Sequence, residues 1–342
     1  MRLCRVVNVF TFTVLVLTTV LYSCNQEIWL ENEGDYVVTN LEIPWAIDFL
    51  PSGEMIFTQR PGSVSIHAEG DIKIVGEIGV AHIGEGGLLG IAVDPDFEQN
   101  NHIFIYYTYQ NGAFFNRISR FTLNDTLEEE TIIIDSIPGA AIHNGGRIRF
   151  GPDGLLYATT GDADQPHLSG DTLSLAGKIL RLEKDGSVPD DNPFDNYVYA
   201  LGLRNPQGLA WRRDTLYVSS HGPVRRDEIH RVEKGMDYLW PLTCDETELA
   251  YRCYTDFTLA PSGIEIVDEL LFVTGLRGNQ LRRIDLGTGE EGALLTHLGR
   301  LRDVVHHNGS LYICTSNRDG RGIQGADDDK IVRFDILHLG EL

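Results

Sequence analysis

Six times along the chain a polar turn leads directly into a short apolar strand rich in aromatic and β-branched residues. No other feature narrows the possible folds as much. The units are PSGEMIFTQ (51–59), QNNHIFIYYT (99–108), PDGLLYATT (152–160), RDTLYVSS (213–220), VDELLFVT (267–274) and HNGSLYICT (307–315). Pro, Asp, Asn and Gly supply tight turn conformations, and the residues that follow suit a pleated, half-buried surface. Successive units begin roughly 40 to 60 residues apart, the interval of one propeller blade of about four strands. Further strands fall between them: SVSIHA (63–68), RISRFTL (117–123), TIIIDSI (131–137) and KIVRFDIL (330–337), the last placed to close a ring beside the first blade. Helix signals are scarce. The expectation is an all-β, six-bladed β-propeller over residues 30–342, with a sandwich or a two-domain arrangement as the structural alternative. Propeller blades bury their faces against one another, and loops around the channel carry function. Candidate residues should therefore lie just before or after the repeated strands.

The N-terminus reads as a targeting segment outside that fold. MRLCR is a short basic region, VVNVFTFTVLVLTTVLYS an apolar stretch, and Cys24 follows. A stretch of about 18 apolar residues is long enough for a membrane anchor. LYSC (21–24), however, resembles a bacterial lipobox. That implies lipidation at Cys24, an exported protein in the periplasm or outer membrane of a bacterial cell envelope, and membrane contact through the lipid alone. Cys244 and Cys253 lie nine residues apart in one loop-like segment and can pair in an oxidising compartment. Cys314, in the strand LYICT, reads as a buried thiol. The formal net charge is −22, from 50 acidic and 28 basic side chains. Such a surface repels phosphate backbones, which argues against a nucleic-acid partner. Any local cluster of arginines stands out against it.

Five segments carry candidate chemistry. HIGEGGLLGIAVDPDF (82–97) imitates a dinucleotide-binding glycine run, but IAVDPDF breaks the helix that such a motif requires. Its glycines either let backbone approach a ligand or simply make a tight loop, and Glu85 is the side chain presented. In AIHNGG (141–146), His143 is a candidate general base; the bland alternative is an incidental surface histidine. YALGLRNPQGLAW (199–211) places Arg204 and Asn205, both planar donors, immediately before a fixed Asn-Pro turn. In SHGPVRRDEIHRVEKGMDYLWP (220–241) a Gly-Pro turn is followed by Asp227 and Glu228, and carbonyl and carboxylate oxygens together suit calcium. GLRGNQLRRIDL (275–286) and GRLRDVVHHNG (299–309) set Arg277, Arg300 and Arg302 at the starts of two later blades. Two apart on a strand, Arg300 and Arg302 share a face, and converging arginines suit a polyanionic small ligand. No GxSxG, HExxH or P-loop is present.

Taken together, these segments resemble the soluble PQQ-dependent sugar dehydrogenases, the glucose/sorbosone dehydrogenase family of aldose sugar dehydrogenase type. The resemblance runs from LEIPWAIDFLPSGEMIFTQRPGSV (41–64) to RLRDVV (300–305). Its most specific pieces are GGLLGIAVDPDF, LGLRNPQGLA, GKILRLEKDGSVPDDNPF (177–194) and HGP…DEI. It implies a six-bladed propeller, pyrroloquinoline quinone (PQQ) and calcium as cofactors, and oxidation of an aldose-type sugar hydroxyl to a lactone. Electrons would leave through a quinone or a small redox protein. His143 matches the base that takes the hydroxyl proton as hydride passes to the quinone. Arg204 and Asn205 match residues contacting PQQ; Arg277, Arg300 and Arg302 match cations binding its carboxylates. The carbonyls of Gly222 and Pro223 match ligands of the calcium, while Glu228 and Tyr238 match a second, structural calcium site. Glu85 stands at a cofactor-side position where glucose enzymes have Gln, and Ile142 replaces an acidic residue before the base. These two departures keep a different class open: a non-catalytic propeller binding carbohydrate or protein.

Overall fold

The computed structural model describes residues 34–336. Twenty-four strands there form six four-stranded antiparallel sheets. Among the described residues the first strand is β1 (Asp35–Val38), and the first blade follows from β2 (Pro44–Phe49), β3 (Met55–Gln59), β4 (Ser63–Ala68) and β5 (Asp71–Glu77). The second blade is β6 (Leu88–Val93), β7 (His102–Asn111), β8 (Ala113–Leu123) and β9 (Leu127–Pro138). The third is β10 (Ile148–Phe150), β11 (Leu156–Thr160), β12 (Lys178–Leu182) and β13 (Val198–Ala200). Next come β14 (Pro206–Arg212), β15 (Thr215–Ser220), β16 (Asp227–Val232) and β17 (Arg252–Tyr254), then β18 (Pro261–Val267), β19 (Leu270–Gly275), β20 (Gln280–Asp285) and β21 (Glu291–Leu294). The sixth blade joins β22 (Leu301–His307), β23 (Ser310–Thr315) and β24 (Ile331–Asp335) to β1, which pairs Asp35 with Arg333 and Tyr36 with Val332. The architecture is a six-bladed β-propeller. Its closure differs in detail from the sequence expectation: the last strand lies inside the sixth blade, and the N-terminal strand completes that blade.

All six repeated units are second strands: β3, β7, β11, β15, β19 and β23. A second strand is flanked by two others and covered on both faces, so its residues form a nearly continuous apolar run rather than an alternation. Leu156–Thr160 is buried throughout, as is Ile103–Thr108 of β7. The outer strands read differently. Asp71–Glu77 and the acidic LEEE start of β9 are largely exposed, and charge there guards an unpaired edge. Apolar clusters fill the space between blades, the largest including Trp45, Phe104, Tyr106, Leu156 and Leu201.

Antiparallel order fixes where function can sit. The chain enters each inner strand at one end of the propeller and returns to that end after the second strand. Segments before β6, β10, β14 and β22 therefore share a face with the segments after β3, β11, β15, β19 and β23. The turns of the repeated units lie at the opposite face, so only the sequence after each repeated strand reaches the site. Arg147 and Arg149 line the channel between. Arg147 stacks on Trp45 at 4.3 Å and pairs with Asp303 at 2.7 Å; Arg149 pairs with Glu265 at 2.6 Å. Together they form the floor beneath the site.

Cys244 and Cys253 are joined in a disulfide, and Cys314 is a buried free thiol. The proposed targeting segment and Cys24 lie outside the described residues. Among the described residues, no helix is long and apolar enough to cross a membrane.

Candidate active site

His143 sits between β9 and β10 with a positive φ of 57°, a conformation that non-glycine residues adopt at a cost. The two glycines behind it make that placement possible. Gly145 has φ 63°, and a Cβ there would fall 2.6 Å from the Thr159 carbonyl oxygen, so the loop can lie directly on β11 only without a side chain. The Gly145 N–H donates to Asn205 Oδ1 at 3.0 Å. His143 is buried, and its Nδ1 lies 2.7 Å from Asp162 Oδ1. Asp162, fully buried just after β11, also accepts from the Asp164 N–H at 2.9 Å and from Trp240 Nε1 at 2.8 Å. A carboxylate oxygen accepts, so His143 Nδ1 is the donor to Asp162, and Nε2 is the ring nitrogen with no protein partner among the described residues. This is the arrangement of a general base with an orienting anion.

Glu85 holds the other side of the loop. Its Oε2 accepts from the His143 N–H at 3.1 Å and Asn205 Nδ2 at 3.5 Å, and its Oε1 accepts from Arg321 at 2.8 Å. Burial pushes the Glu85 carboxyl up, but His221, the Arg321 guanidinium and the His143 N–H outweigh it and hold the group at about 2. Burial also drives His221 down to about 3, so above that pH the full charge facing Glu85 is the Arg321 guanidinium. The negative charge that the sequence placed beside an anionic ligand is thus already matched. The nearby glycines prove to serve packing: Gly84, φ 55°, would put a Cβ 2.1 Å from the Ala141 carbonyl oxygen.

Arg204 and Asn205 come from the loop before β14. Asn205 is fully buried, joined to the His143 loop and to Glu85, with its Nδ2 also 3.5 Å from His221 Nδ1. Arg204 lies 5.5 Å from the Trp240 ring centre and donates to the carbonyls of His221 and Gly222 at 3.4 and 3.2 Å. The Gly222–Pro223 turn is anchored by buried Asp227, which accepts from the N–H groups of Gly222, Leu259 and Ala260. The carbonyls of His221 and Gly222 are therefore held facing Arg204, and oxygen donors of this kind suit a hard cation. Glu228 and Tyr238 stand farther along and meet around His230. The Glu228 carboxylate is 3.0 Å from His230 Nε2, the Tyr238 ring 4.5 Å from the same imidazole, and the Tyr238 hydroxyl donates to the Arg231 carbonyl. Among the described residues, no group of three or more His, Cys, Asp or Glu is arranged to hold a metal.

Arg300 and Arg302 converge on Asp319, in the loop after β23. Arg300 donates to Asp319 at 2.6 Å and to the carbonyls of Ser316 and Leu276. Arg302 reaches Gln207 Oε1 at 2.7 Å, stands 4.0 Å from Asp319, and leaves its buried Nε with no partner. Burial lowers Arg302 to about 9, with Asp319 opposing. Arg277 departs from its expected place. It lies in the turn between β19 and β20 rather than at the start of a blade, is exposed, and has no side-chain partner among the described residues. Sequence reasoning did not single out Asp162, Trp240, His221, Asp319, Arg321 or Arg60. Only the GD after LYATT and the Trp in DYLWP gave any local signal for them.

A propeller whose loops unite a His–Asp pair with several guanidiniums on one face has the groups that can exchange a proton beside a polyanionic small molecule. The chain belongs to the glucose/sorbosone dehydrogenase family, matched over residues 41–324. It is 31% identical to aldose sugar dehydrogenase YliI of Escherichia coli, across 82% of this chain and 89% of that protein. It is 34% identical to quinoprotein glucose dehydrogenase B of Acinetobacter calcoaceticus across 64% of this chain, and spans only 55% of that protein. The PQQ-bound aldose sugar dehydrogenase of Streptomyces coelicolor superposes with a TM-score of 0.82 at 35% identity, covering 88% of this chain and 96% of that one.

Proposed function

We propose that this protein is a PQQ- and calcium-dependent dehydrogenase that oxidises an aldose-type sugar hydroxyl to a lactone. The observation that carries the reading is the His143–Asp162 pair set beside an arginine-rich, under-neutralised pocket. The donor set fits PQQ. Arg302 Nε is a buried donor without an acceptor, and Arg300, Arg302 and Arg321 have two carboxylates, Asp319 and Glu85, among them. Bidentate guanidinium–carboxylate pairing is the expected use of such groups.

PQQ supplies the two-electron acceptor when bound. What the protein's own residues do follows from their hydrogen bonds. His143 Nε2 takes the proton from the sugar hydroxyl, and Asp162 holds the ring in the required tautomer and offsets the charge it gains. Glu85 and Asn205 fix the His143 loop. Arg204 and Arg302 would bind the cofactor's oxygens, Arg277 is proposed for the same role from the turn after β19, and Arg300 is held on Asp319 beside Arg302. The Gly222 and Pro223 carbonyls would hold calcium, which acts as a Lewis acid; the Gly222 oxygen now receives Arg204, so a cation is already favoured there. Glu228 and Tyr238 are proposed for a second, structural calcium, for which Glu228 would exchange its His230 contact. Export, lipidation at Cys24 and electron transfer to a quinone or small redox protein belong to the same proposal.

The test is His143→Ala. Turnover should be lost while PQQ remains bound; normal turnover by the variant would remove the base assignment.

A further inference from the structure

Arg60 follows β3 directly and faces the cluster just described. It is 5% exposed, yet no carboxylate among the described residues lies within ion-pair distance of it. Its one side-chain hydrogen bond among those residues runs from Nε to His82 Nε2 at 3.3 Å. Burial and the charge of Arg60 both lower the His82 pKa, so that acceptor is a neutral imidazole. The charges that Arg60 feels are those of the site itself: Asp319 and Glu85 attract it, Arg321 and Arg300 repel it. Both carboxylates are already engaged, Asp319 by Arg300 at 2.6 Å and Glu85 by Arg321 at 2.8 Å. Arg60, Arg300, Arg302 and Arg321 therefore share two anions.

The position of Arg60 is built rather than incidental. Its N–H donates to the Ile43 carbonyl at 3.0 Å, and its carbonyl accepts from the Leu88 N–H at 2.8 Å. Gly87, φ 140°, lies so close that a Cβ would fall 2.3 Å from the Arg60 carbonyl oxygen. The glycine run before β6 thus seats Arg60 against the site. Burying a guanidinium without an anion is costly unless a ligand supplies one.

We propose that Arg60 is a further cofactor-binding residue, whose guanidinium takes a carboxylate of the same bound polyanion that Arg302 holds. The assignment rests on the PQQ reading and extends the binding set to the first blade. It is tested by titrating the purified full chain with PQQ, followed by quinone absorbance, alongside thermal unfolding without PQQ. Arg60→Gln should weaken PQQ binding about ten- to a hundred-fold, the worth of one charge-assisted contact. Arg60→Lys should recover part of that loss. The unfolding temperature of ligand-free Arg60→Gln should be unchanged or higher, because an uncompensated buried charge has gone. Wild-type affinity in Arg60→Gln would overturn the proposal alone. A loss of affinity matched by loss of ligand-free stability in both variants would reassign Arg60 to a structural role and also overturn it. Failure of the wild type to bind PQQ would refute the underlying reading and this assignment together.

Discussion

Asp162→Asn changes one atom of the dyad, and the structure sets its consequence. Asp162 Oδ1 accepts from His143 Nδ1 and the Asp164 N–H, while Oδ2 accepts from Trp240 Nε1, and none of these groups reaches solvent through Asp162, which is fully buried. An amide has one acceptor and one donor end. With its oxygen toward His143, its NH₂ opposes the Trp240 N–H. With its nitrogen toward His143, it opposes the Asp164 N–H and forces the imidazole into the tautomer that carries hydrogen on Nε2. Either orientation strands a buried donor, a cost of about 1–3 kcal/mol in stability. Neither leaves an anion to stabilise the imidazolium. General-base catalysis is worth about 10²- to 10⁴-fold, so kcat with saturating sugar should fall by about that range while PQQ affinity stays within a few-fold. The assay is dye-linked sugar oxidation by the PQQ- and calcium-loaded protein, with PQQ binding measured separately. A kcat within twofold of wild type would refute the dyad as the proton-transfer device.

Glu85→Gln should flatten the acid stability profile. The folded carboxyl is depressed from 4.5 to about 2, so its contribution is present above about 4.5 and is lost as pH falls toward 2; thermal unfolding of the two proteins should differ most at neutral pH and converge near pH 2. Arg300→Ala and Arg302→Gln should behave differently although they are neighbours. The first removes both hydrogen bonds that Arg300 gives the buried Asp319 carboxylate, leaving Arg302 at 4.0 Å as its cation, and should cost about 3 kcal/mol of stability; the second should chiefly weaken PQQ binding, by about ten- to a hundred-fold. Urea unfolding and PQQ titration separate the two, and identical profiles would contradict the distinction. Replacing Cys244 and Cys253 with Ser opens a short loop and should cost about 2–3 kcal/mol of stability by loop entropy, read as a shift in the urea midpoint.

The fold was legible because the propeller repeats one local pattern. A turn followed by a doubly buried strand recurs six times, and β-propensity, burial and turn chemistry agree at each occurrence. The closing strand was misjudged because Asp35–Val38 is short, half exposed and paired with residues from the far end of the chain. Among site residues, those beside unusual local grammar were found: His143 before two glycines, Arg204 and Asn205 before a proline, Gly222 in a Gly-Pro turn. Those whose meaning arises only when the ring closes were not. Arg321 meets Glu85 across 236 residues of sequence, and Arg60 becomes conspicuous only because burial leaves it without an anion. Arg277 was misplaced because a hairpin turn between second and third strands and the entry to a new blade look alike in sequence: each is a few polar residues between apolar runs.

The most direct measurement is a PQQ titration of the purified full chain with and without calcium, followed by addition of a panel of aldoses to the loaded protein. Tight binding that depends on calcium, with bleaching of the quinone by at least one aldose, is the expected result. No binding in either condition, or bound PQQ that no aldose reduces, would contradict the assignment as a sugar dehydrogenase and favour a propeller of the same family that only binds.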